Sequence, residues 1–212
     1  MSFWKSCLDQ LDFGKLPGID AQLRMAPELR HQDIRSRGVG RDAIKSSVLF
    51  LIYPSDQGMP STVLIQRPEY DGAHSGQISF PGGRYEPEDK DLLHTAIRET
   101  HEEIGIDTSH LDIIGKLTDL YIPPSNYIVS AYMALSDQTP NFSPDPMEVA
   151  SIIEVSLPAL FLPDNCYDRK LTLHNGYHLT TPCFTINGHI IWGATAMIVA
   201  EFMAMADKQC FG

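Results

Sequence analysis

Three glutamates, Glu99, Glu102 and Glu103, stand at positions i, i+3 and i+4 of a stretch, Asp91 to Ile104, that reads as a helix. At about 100° per residue they fall on one side of a helical wheel, while Leu93, Ala96, Ile97, Thr100 and Ile104 gather on the other. Neighbouring carboxylates repel, and these sit in the last turns, where the backbone dipole favours cations. A hard divalent cation with oxygen ligands removes both penalties. A plain solvated acidic face has the same composition, so the helix alone leaves both readings open.

The flanks favour chemistry. Arg98 lies one turn before Glu102 and can hold a carboxylate in one orientation. Gly82-Gly83, ahead of the helix, permits close backbone approach and offers a carbonyl that the same metal could take. His94 and His101 lie on the helix away from the acidic stripe and read as surface or packing residues.

These groups need elements to position them. Ser2 to Asp12 has helical spacing, and Gly14, Pro17 and Gly18 then interrupt it. Ala21 to Ala43 is polar and shows no clear period. Ser47 to Tyr53 reads as a strand ending at Pro54, and a turn through Asp56-Gln57-Gly58 leads to a second strand, Ser61 to Gln66. A short strand, Gln77 to Phe80, stops at Pro81-Gly82-Gly83, and Gly105 ends the acidic helix. Further strands are expected at Leu111 to Leu117, Tyr127 to Leu135 and Ile152 to Val155, and a last helix from Ala194 to Ala206. This pattern predicts an α/β (α+β) domain with helices flanking a mixed sheet. Residues 1–45 are expected to form a helix and arm packing on a main domain of residues 46–212.

The net charge of −11, from 16 basic and 27 acidic side chains, argues against a nucleic-acid partner. No apolar run approaches the roughly 20 residues of a membrane span, and the amino terminus is too polar for a signal peptide. Cys7, Cys166, Cys183 and Cys210 are scattered without a Cys-x-x-Cys pair, so neither a zinc site nor a disulfide is expected, and a reducing, cytoplasmic location follows.

The segment Gly82 to Ile106 resembles the Nudix box: glycine, five residues, glutamate, seven residues, then Arg-Glu-apolar-x-Glu-Glu-x-Gly-apolar. Gly83, Arg98, Glu99, Glu102, Glu103, Gly105 and Ile106 match; Asp89 replaces the first glutamate, eight residues separate it from Arg98, and Thr100 takes the apolar position. The resemblance implies the Nudix fold, a mixed sheet sandwiched between helices, and hydrolysis of a nucleoside diphosphate linked to another group. It implies Mg²⁺ or Mn²⁺ on Glu99, Glu102, Glu103 and the Gly82 carbonyl, with Arg98 orienting the acids. Glu99 and Glu103 are expected as direct ligands and Glu102 is shared between metal binding and proton handling. A later acid often completes such sites as ligand or general base. Glu148, in Asp145-Pro146-Met147-Glu148-Val149, is the candidate, and equally an ordinary loop glutamate; Glu154 ranks below it.

Upstream, Leu64-Ile65-Gln66-Arg67-Pro68 and His74-Ser75-Gly76-Gln77-Ile78-Ser79-Phe80-Pro81-Gly82-Gly83 resemble the coenzyme A pyrophosphatase branch of that family. So do the box departures and Ile191-Trp192-Gly193-Ala194-Thr195-Ala196. The implied substrate is coenzyme A or a derivative, cleaved to 4′-phosphopantetheine and adenosine 3′,5′-bisphosphate. Arg67 could grip phosphate through its fork, with hydrogen bonds from His74 and Gln77. A rim salt bridge, a loop residue and a strand side chain are the plain alternatives for the three. Tyr121 to Tyr127, with Pro123-Pro124-Ser125, could line a channel or form a rigid turn. The Met-rich last helix reads as core or as the interface of a homodimer. Two rivals stay open: a general nucleoside diphosphate hydrolase acting on ADP-ribose or a dinucleotide, and a non-catalytic ligand-sensing domain.

Overall fold

Burial along the first long strand sets the layering. The structure is a computed structural model describing residues 3–36, 42–68, 76–172, 176–206 and 208–211. Its elements begin α1 (Phe3–Leu8), α2 (Ile19–Gln22), α3 (Glu28–Ser36), β1 (Ile44–Pro54), β2 (Pro60–Gln66), β3 (Ile78–Ser79), β4 (Gly82–Arg84) and α4 (Leu92–Ile104). There follow β5 (Asp112–Lys116), β6 (Leu120–Ile122), β7 (Tyr127–Leu135), β8 (Ser151–Ser156) and α5 (Leu157–Leu160). The chain closes with β9 (Cys166–Thr172), β10 (His178–Ile186), β11 (His189–Ile191) and α6 (Gly193–Met205).

Residues Leu49 to Tyr53 of β1 are all fully buried. Alternate side chains point to opposite faces, so a strand buried throughout needs a cover on each. Leu49, Leu51 and Tyr53 pack with Ala96 and Ile104 of α4; Phe50 and Ile52 pack with Ala196, Val199 and Phe202 of α6. The sheet therefore lies between the acidic helix and the terminal helix, as expected from sequence. It is mixed: β1 runs parallel to β7 and antiparallel to β2 and β4. The Met-rich face of α6 is core, since Met197, Ile198 and Phe202 are buried.

The arm joins the α6 side of this core through Trp4, Leu8, Leu23 and Met25. Glu201 of α6 is fully buried and fastens it, accepting from the Gly18 N–H at 3.1 Å and the Gln22 amide at 2.8 Å. Its carboxylate also accepts from the Thr118 N–H at 3.2 Å, so three segments meet on one side chain. Such a satisfied carboxylate stabilises the arm without needing a cation.

Several features depart from the sequence reading. α3 forms within the stretch that shows no period, because its composition, Glu-Leu-Arg-His-Gln-Asp-Ile-Arg-Ser, carries almost no apolar stripe. β9, β10 and β11 make a separate antiparallel sheet that the sequence did not reveal. Cys7 and Cys210 form a disulfide, contrary to the expectation of free thiols. They lie 203 residues apart, yet α1 packs beside the 3-10 turn Lys208–Cys210, which brings their Cα atoms to 6.0 Å. Cysteine spacing therefore carries no information on compartment here. Among the described residues no helix is long and apolar enough to cross a membrane.

Candidate functional site

Helix α4 is defined at both ends by its own sequence. Asp91 caps the start, its carboxylate accepting from the His94 N–H at 2.8 Å, and Gly105 closes it with φ 68°. The helix is rotated from the orientation its apolar residues suggest. Thr95, Ala96, Thr100, Glu103 and Ile104 are buried, whereas Leu93 and Ile97 are only half-buried. Of the three glutamates that spacing places opposite the buried face, Glu103 is drawn into the core and is 1% exposed.

Backbone of β4 covers Glu103. The Gly82 N–H donates to its Oε2 at 2.7 Å. Gly82 has φ 151°, and a Cβ there would lie 2.3 Å from the Ser47 carbonyl oxygen, so only glycine lets β4 reach both β1 and the helix. A Cβ on Gly83 would fall 2.2 Å from the Glu99 carboxyl carbon. Gly82 is thus required by the approach of β1, and Gly83 by the Glu99 carboxylate.

Glu148 arrives on a loop tied to the same helix. The Ser143 N–H donates to the Ile104 carbonyl at 2.9 Å and the Asp145 N–H to the Glu103 carbonyl at 3.0 Å, using acceptors that the helix end leaves unpaired. Asp145 then starts a turn, accepting from the Met147 N–H at 2.8 Å with its side chain and from the Glu148 N–H at 3.1 Å with its carbonyl. One carboxylate oxygen each from Glu99, Glu103 and Glu148 consequently lies within 4.8 Å of the others. Glu148 is exposed, Glu99 half-buried and Glu103 buried, so the group opens from the core to solvent.

Glu102 is not in this group. Its carboxylate is 52% exposed and accepts from Arg98 at 2.9 Å. Arg98 also donates to Glu99 at 3.0 Å, to the Arg84 carbonyl at 3.2 Å and, through two nitrogens, to both oxygens of Asp89 at 2.9 Å. Asp89 is buried and further accepts from the Thr95 hydroxyl at 2.8 Å and the Glu86 N–H at 3.0 Å. The residue that breaks the box spacing is thus the anchor of Arg98. The Arg98 guanidinium, with smaller help from the Glu86 N–H and His94, holds the Asp89 carboxyl well below the usual carboxylate range despite burial. His94 meets Asp89 at 2.9 Å and His101 meets the Ile106 carbonyl at 2.8 Å, both outside the acidic triad.

The triad itself resists full ionisation. Burial pushes Glu103 up to about 8, against the pull of Arg67 and the Gly82 N–H, and Glu99 and Glu148 add repulsion. Burial likewise raises Glu99, opposed by Arg98 and reinforced by Glu102 and Glu148. Three hard oxygen donors, two of them held back from ionising, fit a divalent cation well: its charge would offset both desolvation and repulsion.

The upstream residues are placed unevenly. Arg67 follows β2, and its guanidinium donates to the Gly82 carbonyl at 3.0 Å and approaches Glu103 at 3.5 Å. Gln77 accepts at its carbonyl from the Arg67 N–H at 3.0 Å, which holds the two segments together. His74 lies outside the described residues. Glu154 is on β8 and accepts from the Tyr53 hydroxyl at 2.8 Å. Tyr121 donates to Asn126 at 2.9 Å across the Pro123-Pro124 turn, the arrangement of a rigid corner. Thr195 of α6 donates to the Ile78 carbonyl at 2.9 Å, steadying the strand that enters Pro81-Gly82 from the opposite face.

The family described as NUDIX domain matches residues 44–173, more than half of the chain. The chain belongs to the Nudix family. Family members generally use divalent metal ions and act on small-molecule substrates. The chain is 29% identical over 179 residues to the mitochondrial coenzyme A diphosphatase NUDT8 of Homo sapiens, covering 82% of this chain and 75% of that protein. It is 33% identical over 128 residues to the Mus musculus protein of the same name, covering 60% and 61%. It is also 33% identical over 146 residues to the uncharacterized Nudix hydrolase NudL of Photorhabdus laumondii, covering 67% and 75%. The family and these relatives make the chain an enzyme of the pyrophosphohydrolase class.

Proposed function

We propose that the protein hydrolyses the pyrophosphate of coenzyme A or a derivative, giving 4′-phosphopantetheine and adenosine 3′,5′-bisphosphate. The observation that carries this reading is the convergence of Glu99, Glu103 and Glu148 within 4.8 Å, beside an arginine that the coenzyme A signature supplies. The two NUDT8 relatives, named as coenzyme A diphosphatases, point to the same substrate.

Glu99, Glu103 and Glu148 would hold Mg²⁺ or Mn²⁺, with the Gly82 carbonyl as a further oxygen. When bound, such a cation neutralises charge that builds on phosphate oxygens as water attacks. The protein's own residues do the rest. Arg98, locked on Asp89, fixes the Glu99 carboxylate and leaves Glu102 as an outer partner of the arginine. Glu148, the exposed member of the triad, can accept a proton from an attacking water at its solvent side. Arg67, beside Glu103 and the Gly82 carbonyl, would grip phosphate through its fork, and Gln77, whose carbonyl holds the Arg67 backbone, would add a hydrogen bond. We place His74 in the same role from its position in the signature alone.

The test is product analysis by mass spectrometry after incubation with Mg²⁺ or Mn²⁺ and, separately, coenzyme A, its thioesters, ADP-ribose and a diadenosine polyphosphate. Appearance of 4′-phosphopantetheine with adenosine 3′,5′-bisphosphate is expected. Intact coenzyme A compounds beside a cleaved ADP-ribose or dinucleotide would instead establish the general nucleoside diphosphate hydrolase.

A further inference from the structure

We infer that Arg84 is a specificity residue: it binds a substrate phosphate outside the pyrophosphate, and so selects coenzyme A, which carries a 3′-phosphate, over compounds that lack one. This inference rests on the coenzyme A reading of the active site.

Arg84 is the last residue of β4, two residues beyond Gly82. One edge of that strand is bound to β1, the Leu49 N–H donating to the Pro81 carbonyl at 2.9 Å and the Tyr85 N–H to the Lys45 carbonyl at 3.0 Å. The other edge meets the arginines already described: Arg67 donates to the Gly82 carbonyl at 3.0 Å and Arg98 to the Arg84 carbonyl at 3.2 Å. A strand advances about 3.4 Å per residue, which puts the Arg84 backbone roughly 7 Å from Gly82. It is thus held by the same strand and the same arginine that order the acids.

Alternation sends its side chain the other way. A Cβ on Gly83 would meet the Glu99 carboxylate on the α4 face, so Arg84 leaves β4 on the opposite face, toward Tyr127 of β7. There its Nε donates to the Tyr127 hydroxyl, and the guanidinium carbon lies 5.3 Å from the centre of the ring. Tyr127 is half-buried and Arg84 exposed, so a fixed aromatic ring carries a guanidinium that faces solvent.

The charge of that guanidinium is unspent. Arg98 serves Asp89, Glu99 and Glu102, and Arg67 faces Glu103. No acid pairs with Arg84 among the described residues, in a chain of net charge −11. Tyr127 takes only Nε, which leaves the two terminal nitrogens, the fork that matches phosphate oxygens. The ring contact limits the motion of the group without neutralising it. Facing away from α4, the fork is not aimed at a phosphate held on the acidic triad. Coenzyme A has one phosphate beyond its pyrophosphate, on the ribose; ADP-ribose and diadenosine polyphosphates have none there.

The experiment compares coenzyme A with dephospho-coenzyme A, the same molecule without the 3′-phosphate, as substrates of the full chain at saturating Mn²⁺. Wild type should favour coenzyme A by about tenfold or more in kcat/KM, mainly through KM. In Arg84→Gln that ratio should fall to near one. Arg84→Lys, which keeps the charge and loses the fork, should retain part of it, as should Tyr127→Phe, which removes the oxygen that Nε addresses. Calorimetry gives a readout independent of turnover: wild type should bind adenosine 3′,5′-bisphosphate about tenfold more tightly than AMP, and the gap should close in Arg84→Gln. A ratio that survives Arg84→Gln overturns the assignment. Equal cleavage of the two substrates by wild type also overturns it while leaving the coenzyme A reading standing. Cleavage of neither, beside a cleaved ADP-ribose, overturns that reading and the inference with it.

Discussion

The backbone N–H of Asp145 donates to the carbonyl of Glu103 at 3.0 Å, so the loop that delivers Glu148 hangs from the helical turn that delivers Glu103. Two acids 45 residues apart in sequence are thereby held as one unit. Glu148→Gln should keep the fold and its melting temperature but lose Mn²⁺ affinity by about tenfold or more. Electron paramagnetic resonance of free Mn²⁺ measures this directly, and unchanged affinity would place Glu148 outside the metal set.

Asp89 should matter for stability as well as for the site. It is buried and anchors Arg98 through two hydrogen bonds, so Asp89→Asn weakens the pair that fixes a half-buried guanidinium, leaving it Glu99 and Glu102, at a cost of about 2 kcal/mol. Its carboxyl is depressed in the folded protein, so the stabilisation is present above the unfolded value of about 3.9 and is lost as pH falls below it. Urea midpoints between pH 5 and pH 2.5 should fall more steeply for wild type than for Asp89→Asn. Parallel slopes would remove Asp89 from the acid response.

Glu103 has the opposite sign. Burial lifts it to about 8, above an unfolded value of about 4.3, so in chelator its contribution to stability is fully present below about 4.3 and is lost as pH rises through about 8. A cation held by Glu103 would reverse the trend, because the carboxylate would have to give up its proton to serve as a ligand. Calorimetry near pH 7 in buffers of different ionisation enthalpy should show close to one proton released per Mn²⁺ bound. Glu103→Gln should release none through this residue and should flatten the metal-free pH dependence.

The Cys7–Cys210 disulfide closes nearly the whole chain into a loop, and its loss should destabilise the protein by about 3 kcal/mol or more. Both ends belong to the α6 side of the sheet, where Trp4, Leu8 and Phe211 pack, whereas the acidic helix lies on the other face. Cys210→Ser should therefore lower the melting temperature while Mn²⁺ affinity at 25 °C stays unchanged. A matching loss of metal affinity would show that the arm supports the site.

The parts legible in sequence are those whose local chemistry and tertiary setting agree. β1, β7 and α4 announce themselves by apolar runs, helical spacing and a terminal glycine, and each forms within a few residues of its expected bounds. β9 escapes notice because nearly all of its residues face solvent and leave no apolar alternation to read. Glu103 reads as one of three acids on the side of the helix opposite the buried face, because helical spacing cannot reveal that Gly82 will cover it. Asp89 looks like an irregularity of spacing, and only the fold shows that the extra residue still lets it meet Arg98. The two cysteines are joined by packing of the chain ends, which no local pattern encodes.

The most direct test of the site is turnover of coenzyme A by Glu103→Gln at saturating Mn²⁺, with folding checked by thermal melting. Loss of the deep oxygen ligand should lower kcat by about a thousandfold or more while the variant stays folded. A folded Glu103→Gln with wild-type kcat would contradict a mechanism built on Glu99, Glu103 and Glu148.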